Sequence, residues 1–413
     1  MRPLEGIPVL LGLARGLRGI VQGYLVACFL PDLHALGWSS LQMGGALSGG
    51  LLADFLLTLC MGPVADRISP RRLLMAGEMA NALSALPFLL HPAPLSLAIA
   101  IFLAGAGQRS NGSPGPWAPS EQVLLARLPL PSAPFFHFGT NMALGLLGMA
   151  AGAFLSGTLN PAPAAGLRVG LSGLLLLSLG SFLLAALLPG PAGTEPRPKP
   201  AALPSPARLS SREKRRLVLL VATNISGGLA LGLVDPVIAY WFLIRFHAGP
   251  GETALFLALA YLSASLVSAL LARMGKSRMM PETVLAISAI SFVAGLLLPL
   301  SPFLGPAVLL YTVRLAGIKA PGGIRQALAL SLVPPHRTGL AAGLHLSSLQ
   351  AAQIAGPLIA GLLWQARDTD TPLILAGSLA GLSLFLFLVL YRSARLGEPS
   401  SAAVGLSQNA EEA

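Results

Sequence analysis

Long apolar stretches alternate with short polar ones along almost the whole chain. A helix that crosses the hydrocarbon core of a bilayer needs about 20 predominantly apolar residues. Twelve stretches meet this requirement, at approximately residues 8–32, 40–62, 72–90, 95–128, 135–158, 167–189, 217–245, 253–273, 281–300, 303–333, 338–364 and 372–391. The pattern predicts an all-α polytopic membrane protein with twelve transmembrane helices.

The composition supports a bilayer as the solvent of most of the chain. Of the 413 residues, 54% are hydrophobic and only 10% are charged, whereas a soluble domain carries about 25% charged residues. Glycine is abundant, and small residues allow helices to approach closely in lipid. Cys28 and Cys60 lie in different apolar stretches, so we expect no disulfide, no metal site and no cofactor. The first stretch shows no cleavable signal pattern and is expected to remain a membrane helix.

The distribution of basic residues predicts the orientation. The formal net charge is +11, but the charges lie between the apolar stretches and do not cluster on one soluble face, so no nucleic-acid partner is expected. With both termini in the cytoplasm, eighteen of the 27 basic residues are cytosolic and three, Arg168, Arg245 and Arg367, are on the outer side. The positive-inside rule favours this orientation. We therefore predict a multi-pass protein of the cell (plasma) membrane with both termini cytoplasmic.

A polar segment after the sixth stretch divides the chain. It is rich in proline, alanine and serine and ends in a run of basic residues, a composition typical of a flexible linker. The predicted organisation is an N-terminal six-helix bundle over residues 1–190, a cytosolic linker over 191–216, a C-terminal six-helix bundle over 217–394 and a disordered cytosolic tail over 395–413.

Glycines recur at matching places in the two bundles. Gly152 and Gly157 correspond to Gly356 and Gly361 at an offset of 204 residues, and a looser match joins Gly19 and Gly23 to Gly228 and Gly232. The common offset favours a duplicated six-helix unit, and parallel repeats about an axis along the membrane normal are a known plan of transporters. The two bundles are therefore predicted to be pseudo-symmetric.

The loop after the second stretch carries a resemblance to a known family. Residues 62–74 read Gly-Pro-Val-Ala-Asp-Arg-Ile-Ser-Pro-Arg-Arg-Leu-Leu, which resembles the signature loop of the major facilitator superfamily, Gly-x-x-x-Asp-Arg-x-Gly-Arg-Lys/Arg-x-x-Leu. Ser69 and Pro70 stand where the family has glycine and arginine. The overall pattern is similar to prokaryotic efflux permeases. The resemblance implies the major facilitator fold and a gating loop that works by charge pairing, with the matching residues Gly62, Asp66, Arg67 and Arg71.

Two of the stretches contain residues that cannot continue a regular helix. The fourth is too long for one crossing and holds three prolines and three glycines between residues 107 and 119. The tenth repeats the interruption at residues 317–323. Non-helical backbone at membrane depth has to line protein or a wet cavity. Interrupted segments at corresponding positions point to a transport site near the midplane. The alternative for residues 110–128 is an inner loop with a helix on the membrane surface.

Ionisable groups inside the stretches complete the predicted site. Each costs about 2.5–3.5 kcal/mol at the bilayer centre, so these side chains are expected to face the bundle interior and to pair. Glu121 and Asp235 are the predicted proton-coupling acids, and Glu121 is predicted to pair with Arg325 across the pseudo-symmetry axis. Asp54 and Glu78 are placed near the cytosolic ends of their helices, as latch residues. The predicted substrate-binding or coupling residues are Arg18, Gln22, Gln108, Arg109, Asn111, Trp117, Glu121, Asp235, Arg314, Lys319, Arg325 and Gln326.

These features predict a secondary active transporter that moves a small organic solute by alternating access, with proton-coupled efflux as the candidate coupling. The expected partners are a small-molecule substrate, protons and the lipid bilayer, and the expected state is a monomer. Enzyme motifs such as a nucleophile elbow or a phosphate loop are absent from the sequence. Two alternatives remain: an organic-anion or phosphorylated-solute transporter of the same fold, because six intramembrane cations face four acids, and a non-transporting membrane sensor.

Overall fold

Helices account for nearly all of the residues that the structure describes. The computed structural model describes residues 6–65, 68–109, 112–126, 134–159, 165–188, 211–274, 280–322 and 338–395. Its α-helices are α1 Gly6–Ala35, α2 Ser40–Ala65, α3 Pro70–Leu90, α4 Pro94–Ala104, α5 Ala118–Ala126, α6 Pro134–Leu159, α7 Ala165–Leu187, α8 Ser211–Gly232, α9 Ile238–Phe246, α10 Pro250–Met274, α11 Met280–Leu297, α12 Leu304–Lys319, α13 Thr338–Gln353, α14 Ala355–Gln365 and α15 Thr371–Arg395.

The helices follow the predicted apolar stretches in order. Helices α4 and α5 together occupy the fourth stretch, α8 and α9 the seventh, and α13 and α14 the eleventh. Within the described ranges, nine helices are long and apolar enough to cross a membrane. The chain is an all-α polytopic membrane protein, and this part of the prediction is confirmed.

The two ends of the bundle differ in their connections. Leu187 and Ser211 flank the linker, and we call the end of the bundle at which they lie the linker end. The opposite end is called the far end. Short connections at residues 36–39, 247–249 and 366–370 join successive helices at the far end. These short connections make neighbouring helices antiparallel.

Glycines bring α1 and α6 into backbone contact. A Cβ on Gly23 would meet the backbone of Met149, and a Cβ on Gly152 would meet the carbonyl oxygen of Ile20. We call the helices α1–α7 the first half and α8–α15 the second half. The second half repeats the arrangement between α8 and α13, because a Cβ on Gly232 would meet the backbone of Gln353. Helices in lipid are not driven together by the hydrophobic effect, and the van der Waals contact that such close approach allows stabilises their association instead. The glycines that match between the halves in sequence thus make equivalent helix contacts.

Replacement of Gly152 by alanine is expected to lower the stability of the protein. The added methyl group has no space between α6 and α1, and overpacking of this kind costs about 1–3 kcal/mol. The measurement is the thermal unfolding midpoint of the purified variant in detergent. Gly173→Ala is the matched control, because a Cβ there meets nothing within 4 Å. Equal midpoints for the two variants would contradict the packing argument.

Contacts between the first and second halves are continuous along one seam. Helices α6 and α10 pack together at the far end, where Gly157 lies beside Ala254, and also nearer the linker end, where the Ser268 hydroxyl donates to the carbonyl oxygen of Gly139 at 3.2 Å. This seam closes one flank of the space between the halves along its whole length.

The opposite seam is closed at the far end. There the outer part of α2 packs on α14 through Gly44 and Gly361. An aromatic cluster covers the same end: the ring of Tyr240 on α9 lies 5.1 Å from that of His34 and 5.4 Å from that of Trp364, centroid to centroid. We call these three residues the far-end cap. The space between the halves is thus sealed at the far end.

Candidate functional site

A cavity of about 370 Å³ lies between the two halves. It reaches from the middle of the bundle toward the linker end, where Leu125 and Phe138 from one half and Leu220 and Leu390 from the other contribute to its wall. Most of the wall is apolar. Among the described residues, the ionisable ones in the wall are Arg15, Asp54, Arg109, Glu121, Lys319 and His345.

Glu121 is the centre of an ion-pair network in the first half. Arg15 donates from Nη1 to Glu121 Oε1 at 2.9 Å, and Arg18 donates to the other carboxylate oxygen. The Asn141 side-chain amide adds a hydrogen bond to Oε1 at 2.7 Å. Arg18 also donates to Glu78 at 2.6 Å. Two guanidinium groups therefore balance two carboxylates, and the hydrogen bonds offset the cost of removing these charges from water.

The interruption between α4 and α5 depends on glycines. Gly105, Gly107, Gly112 and Gly115 have φ between 61° and 79°, the left-handed region in which a side chain is strained. A helix cannot continue through these positions, so the chain turns at membrane depth. The sequence signal of clustered glycine and proline identified this interruption correctly.

Side chains of α1 satisfy the exposed backbone of the interruption. Arg18 Nε donates to the carbonyl oxygen of Gly112 at 3.1 Å, and Gln22 donates from Nε2 to the carbonyl oxygen of Ser113 at 2.8 Å. The Gly112 amide in turn donates to Gln22 Oε1 at 2.9 Å. Buried backbone groups without such partners would be costly in lipid. The described part of residues 110–128 therefore lies in the bundle interior, with Glu121 only 2% exposed, and not on the membrane surface.

Asp54 joins the two halves through one carboxylate. Arg109 donates from Nη2 to Asp54 Oδ1 at 2.7 Å, and Gln350 from α13 donates to Oδ2 at 3.3 Å. Asp54 lies on α2 and Arg109 follows α4, so the ion pair is within the first half. The bond to Gln350 crosses to the second half, which makes Asp54 sensitive to movement between the halves.

Asp235 lies in a second interruption that the sequence did not predict. Residues 233–237 separate α8 from α9. Arg314 Nη1 lies 3.1 Å from Asp235 Oδ1, and Lys319 Nζ lies 2.7 Å from Oδ2. Lys319 lines the cavity, whereas Asp235 and Arg314 lie behind it. The second half therefore has its own charged cluster, built from α12 and the interruption.

The predicted site residues fall into two groups in the structure. Arg18, Gln22, Arg109 and Glu121 surround the first interruption, and Asp235, Arg314 and Lys319 form the second cluster. Of the two other described residues, Gln108 lines the cavity and donates to the carbonyl oxygen of Ile101 at 2.9 Å, and Trp117 packs against Gly77 of α3. Asn111, Arg325 and Gln326 lie outside the described residues.

The predicted pair of Glu121 and Arg325 is outside the part of the chain that the structure describes. The described partners of Glu121 are Arg15, Arg18 and Asn141, all in its own half. Part of the predicted gating loop also lies outside the described residues. Asp66 and Arg67 are outside the described ranges, and Gly62 is described only as part of α2. Arg71 donates to the carbonyl oxygen of Ala186 at 2.5 Å, at the end of α7.

Asp54 and Glu78 lie deeper in their membrane helices than the sequence predicted. Asp54 precedes the end of α2 by eleven residues and Glu78 follows the start of α3 by eight, which places them roughly 16 Å and 12 Å from the helix ends at 1.5 Å per residue. Both acids therefore lie toward the middle of the membrane and not in a terminal latch. The high cost of an unpaired charge at that depth was the signal that could have added them to the site.

The comparison with known proteins decides the family. The model of the Major Facilitator Superfamily matches residues 11–324, which is well over half of the chain. The chain belongs to the major facilitator superfamily. No curated protein matches it in sequence.

Solved structures of major facilitator proteins share the fold. A bacterial homolog of the human lysosomal transporter Spinster, in an inward-facing and unoccupied conformation, superposes with a TM-score of 0.71 at 12% identity, covering 97% of this chain and 99% of that chain. The human organic anion transporter MFSD10 gives 0.66 at 18% identity, covering 94% and 100%. The nucleoside transporter NupG gives 0.64 at 15% identity, covering 93% and 99%. At these identities the likeness concerns the fold alone.

Proposed function

We propose that this major facilitator protein is a secondary active transporter of a small organic solute that works by alternating access. The observation that carries the proposal is a central cavity with charged walls, sealed at the far end and extending toward the linker end. A transporter needs such a site near the midplane, reached from one side at a time. With the linker end in the cytoplasm, the described state faces inward.

We also propose that transport is coupled to protons, with Glu121 as the proton carrier. Glu121 lines the cavity and is held by Arg15 and Arg18. Protonation of its carboxylate would weaken both pairs and leave the guanidinium of Arg15, at the cavity wall, available to a substrate. Asp235 is the weaker candidate, because it lies behind the wall and not on it.

The remaining assignments follow from the same proposal. The protein would work as a monomer in the plasma membrane with both termini and the linker in the cytoplasm. Residues 1–190 and 217–394 would be the two moving bundles. Proton-driven export of an organic solute is the direction that the resemblance to efflux permeases favours.

Proteoliposomes that contain a pH-sensitive dye test the proposal. A panel of organic cations, neutral compounds and organic anions is added under a pH gradient, and both dye signal and solute uptake are recorded. A solute that moves protons with it supports the proposal. Solute uptake without proton movement would remove the coupling and keep the transporter. Binding of a panel compound with no flux of it, in either direction of the gradient, would favour the membrane sensor.

Replacement of Glu121 by glutamine is expected to uncouple transport. Glutamine keeps the size of the side chain but cannot bind a proton and carry it, so gradient-driven accumulation should be lost while exchange of solute at equal concentrations persists. The variant should fold, because Arg18 keeps Glu78 as its partner and Arg15 lies at the cavity wall. Glu282→Gln is the control, because it removes the same charge from an exposed residue at the start of α11. Gradient-driven accumulation at the wild-type level in Glu121→Gln would contradict the assignment.

A further inference from the structure

The first half of the cavity wall is electrically balanced. Its described charged residues are Arg15, Arg109, Asp54 and Glu121; Arg109 pairs with Asp54 and Arg15 with Glu121. Behind the wall, Arg18 pairs with both Glu121 and Glu78. Two positive charges thus face two negative charges on the described wall, and Arg18 and Glu78 behind it also balance. This half adds no net charge to the space that a solute would occupy.

The second half carries an excess of positive charge. Arg314 and Lys319 share one carboxylate, that of Asp235. The sequence offers no second acid at this depth, because the other acids between residues 217 and 391 lie in the first turns of α10 and α11 or in the connection 366–370. Residues 323–337 contain no acid and two arginines. The charge of this cluster is therefore not cancelled by another residue of its own half.

Lys319 presents this excess to the cavity. Its side chain is 13% exposed and lines the wall, while the side chains of Asp235 and Arg314 are each 5% exposed and lie behind it. A charge in a medium of low dielectric constant interacts strongly with an opposite charge placed beside it. An anionic group next to Lys319 would restore neutrality, whereas a cationic group would add to the excess.

The second half of the wall also offers apolar surface, among polar side chains such as Ser288 and Asn224. Phe292, Leu346, Leu349, Leu384 and Phe387 line the second half of the cavity. The volume of about 370 Å³ falls at the lower end of the range for drug-sized ligands, about 300–1,000 Å³. The cavity is therefore matched to a compact molecule with one charged group and an apolar remainder.

We propose that the solute is an organic anion, with its negatively charged group against Lys319 and its apolar body along the wall of the second half. The proposal rests on the transport function proposed above and names the substrate class of the same site. Carboxylates, sulfonates and phosphate monoesters share the required chemistry, because each offers oxygen acceptors to an ammonium group.

Binding of three matched compounds tests this proposal on the purified full-length protein. The compounds share a naphthalene ring and carry a sulfonate, a carboxamide or a trimethylammonium group, and binding is measured as the ligand-induced rise in unfolding temperature. The sulfonate is expected to bind at least about tenfold more tightly than the other two, a difference of about 1.4 kcal/mol. Equal affinity for the three, or a preference for the trimethylammonium compound, would overturn the proposal.

Lys319→Gln is expected to remove the preference for the sulfonate and to leave the carboxamide unaffected. The variant should fold, because Asp235 keeps Arg314 as its partner, and Lys319→Arg should retain the preference. Arg245→Gln is the matched control, since it removes one positive charge from a surface pair with Asp370 at the far end. If Arg245→Gln lowered sulfonate affinity as much as Lys319→Gln, general electrostatics and not a site would be responsible, and the proposal would fail.

The outcome separates substrate class from transport. Sulfonate binding at Lys319 without flux in proteoliposomes would retain the anion site and reject the transporter. Flux of the trimethylammonium compound in preference to the sulfonate would retain the transporter and reject the anion site.

Discussion

Replacement of Arg18 by glutamine is expected to prevent the isolation of a stably folded protein. Arg18 is buried and pairs with Glu78 and Glu121, and its Nε also donates to the carbonyl oxygen of Gly112. Removal of one partner from a buried ion pair costs about 3–5 kcal/mol, because the other charge stays buried without compensation. Glutamine would leave Glu78 in that position. The measurement is the yield of monodisperse protein and its unfolding temperature.

A charge-balanced double variant separates charge from packing. In Arg18→Gln with Glu78→Gln, one cation and one acid are lost together, and Glu121 keeps Arg15 and Asn141. Most of the lost stability should return, because no buried carboxylate is left unbalanced. Wild-type yield and unfolding temperature for Arg18→Gln alone would show that the network does not hold the first half together.

A disulfide across the far end is expected to stop transport. The position of a Cβ on Gly157 lies 3.3 Å from the Cβ of Ala254, close to the separation of about 3.5–4.5 Å found in disulfides. Gly157 is on α6 and Ala254 on α10, so the bond would join the two halves at the sealed end. Alternating access requires this end to open. Solute flux in proteoliposomes should therefore be lost in the oxidised double-cysteine variant and return with a reductant.

The control for the disulfide begins from a variant in which Cys28 and Cys60 are replaced by serine. Each single-cysteine variant in that background should transport solute in both redox states. Unchanged flux in the fully oxidised double variant would mean that the α6–α10 seam stays closed during transport and that the opening lies along α2 and α14.

The sequence was informative where one local property decides the structure. Twelve apolar stretches gave the helices, because the length of an apolar run determines whether it spans a bilayer. The glycines and prolines after α4 gave the first interruption, because they cannot continue a helix. The interruption at 233–237 was missed although Pro236 follows Asp235 there; a single proline does not by itself end a membrane helix, since neighbouring groups can satisfy the freed backbone.

The pairing within the site could not be obtained in the same way. Arg15 and Arg18 on α1 lie at a depth similar to that of Asp54, yet they pair with Glu121 and Glu78, and Asp54 pairs with Arg109. Which charges meet depends on the rotation of each helix about its axis and on the path of the interrupted backbone. Both are set by packing between helices that are distant in the sequence.

Two breaks in the second half, at residues 233–237 and at residue 354, separate the linker-end parts of these membrane segments from their far-end parts. On the linker-end side of the breaks, α8 and α13 are joined by a hydrogen bond from Asn224 to Ser348 at 3.1 Å. On the far-end side, the short helices α9 and α14 carry Tyr240 and Trp364 of the far-end cap. The breaks meet where Gly356 packs on the backbone of Gly232. We expect this contact to act as a hinge, about which α9 and α14, of nine and eleven residues, swing while the cavity wall on the linker-end side keeps its shape.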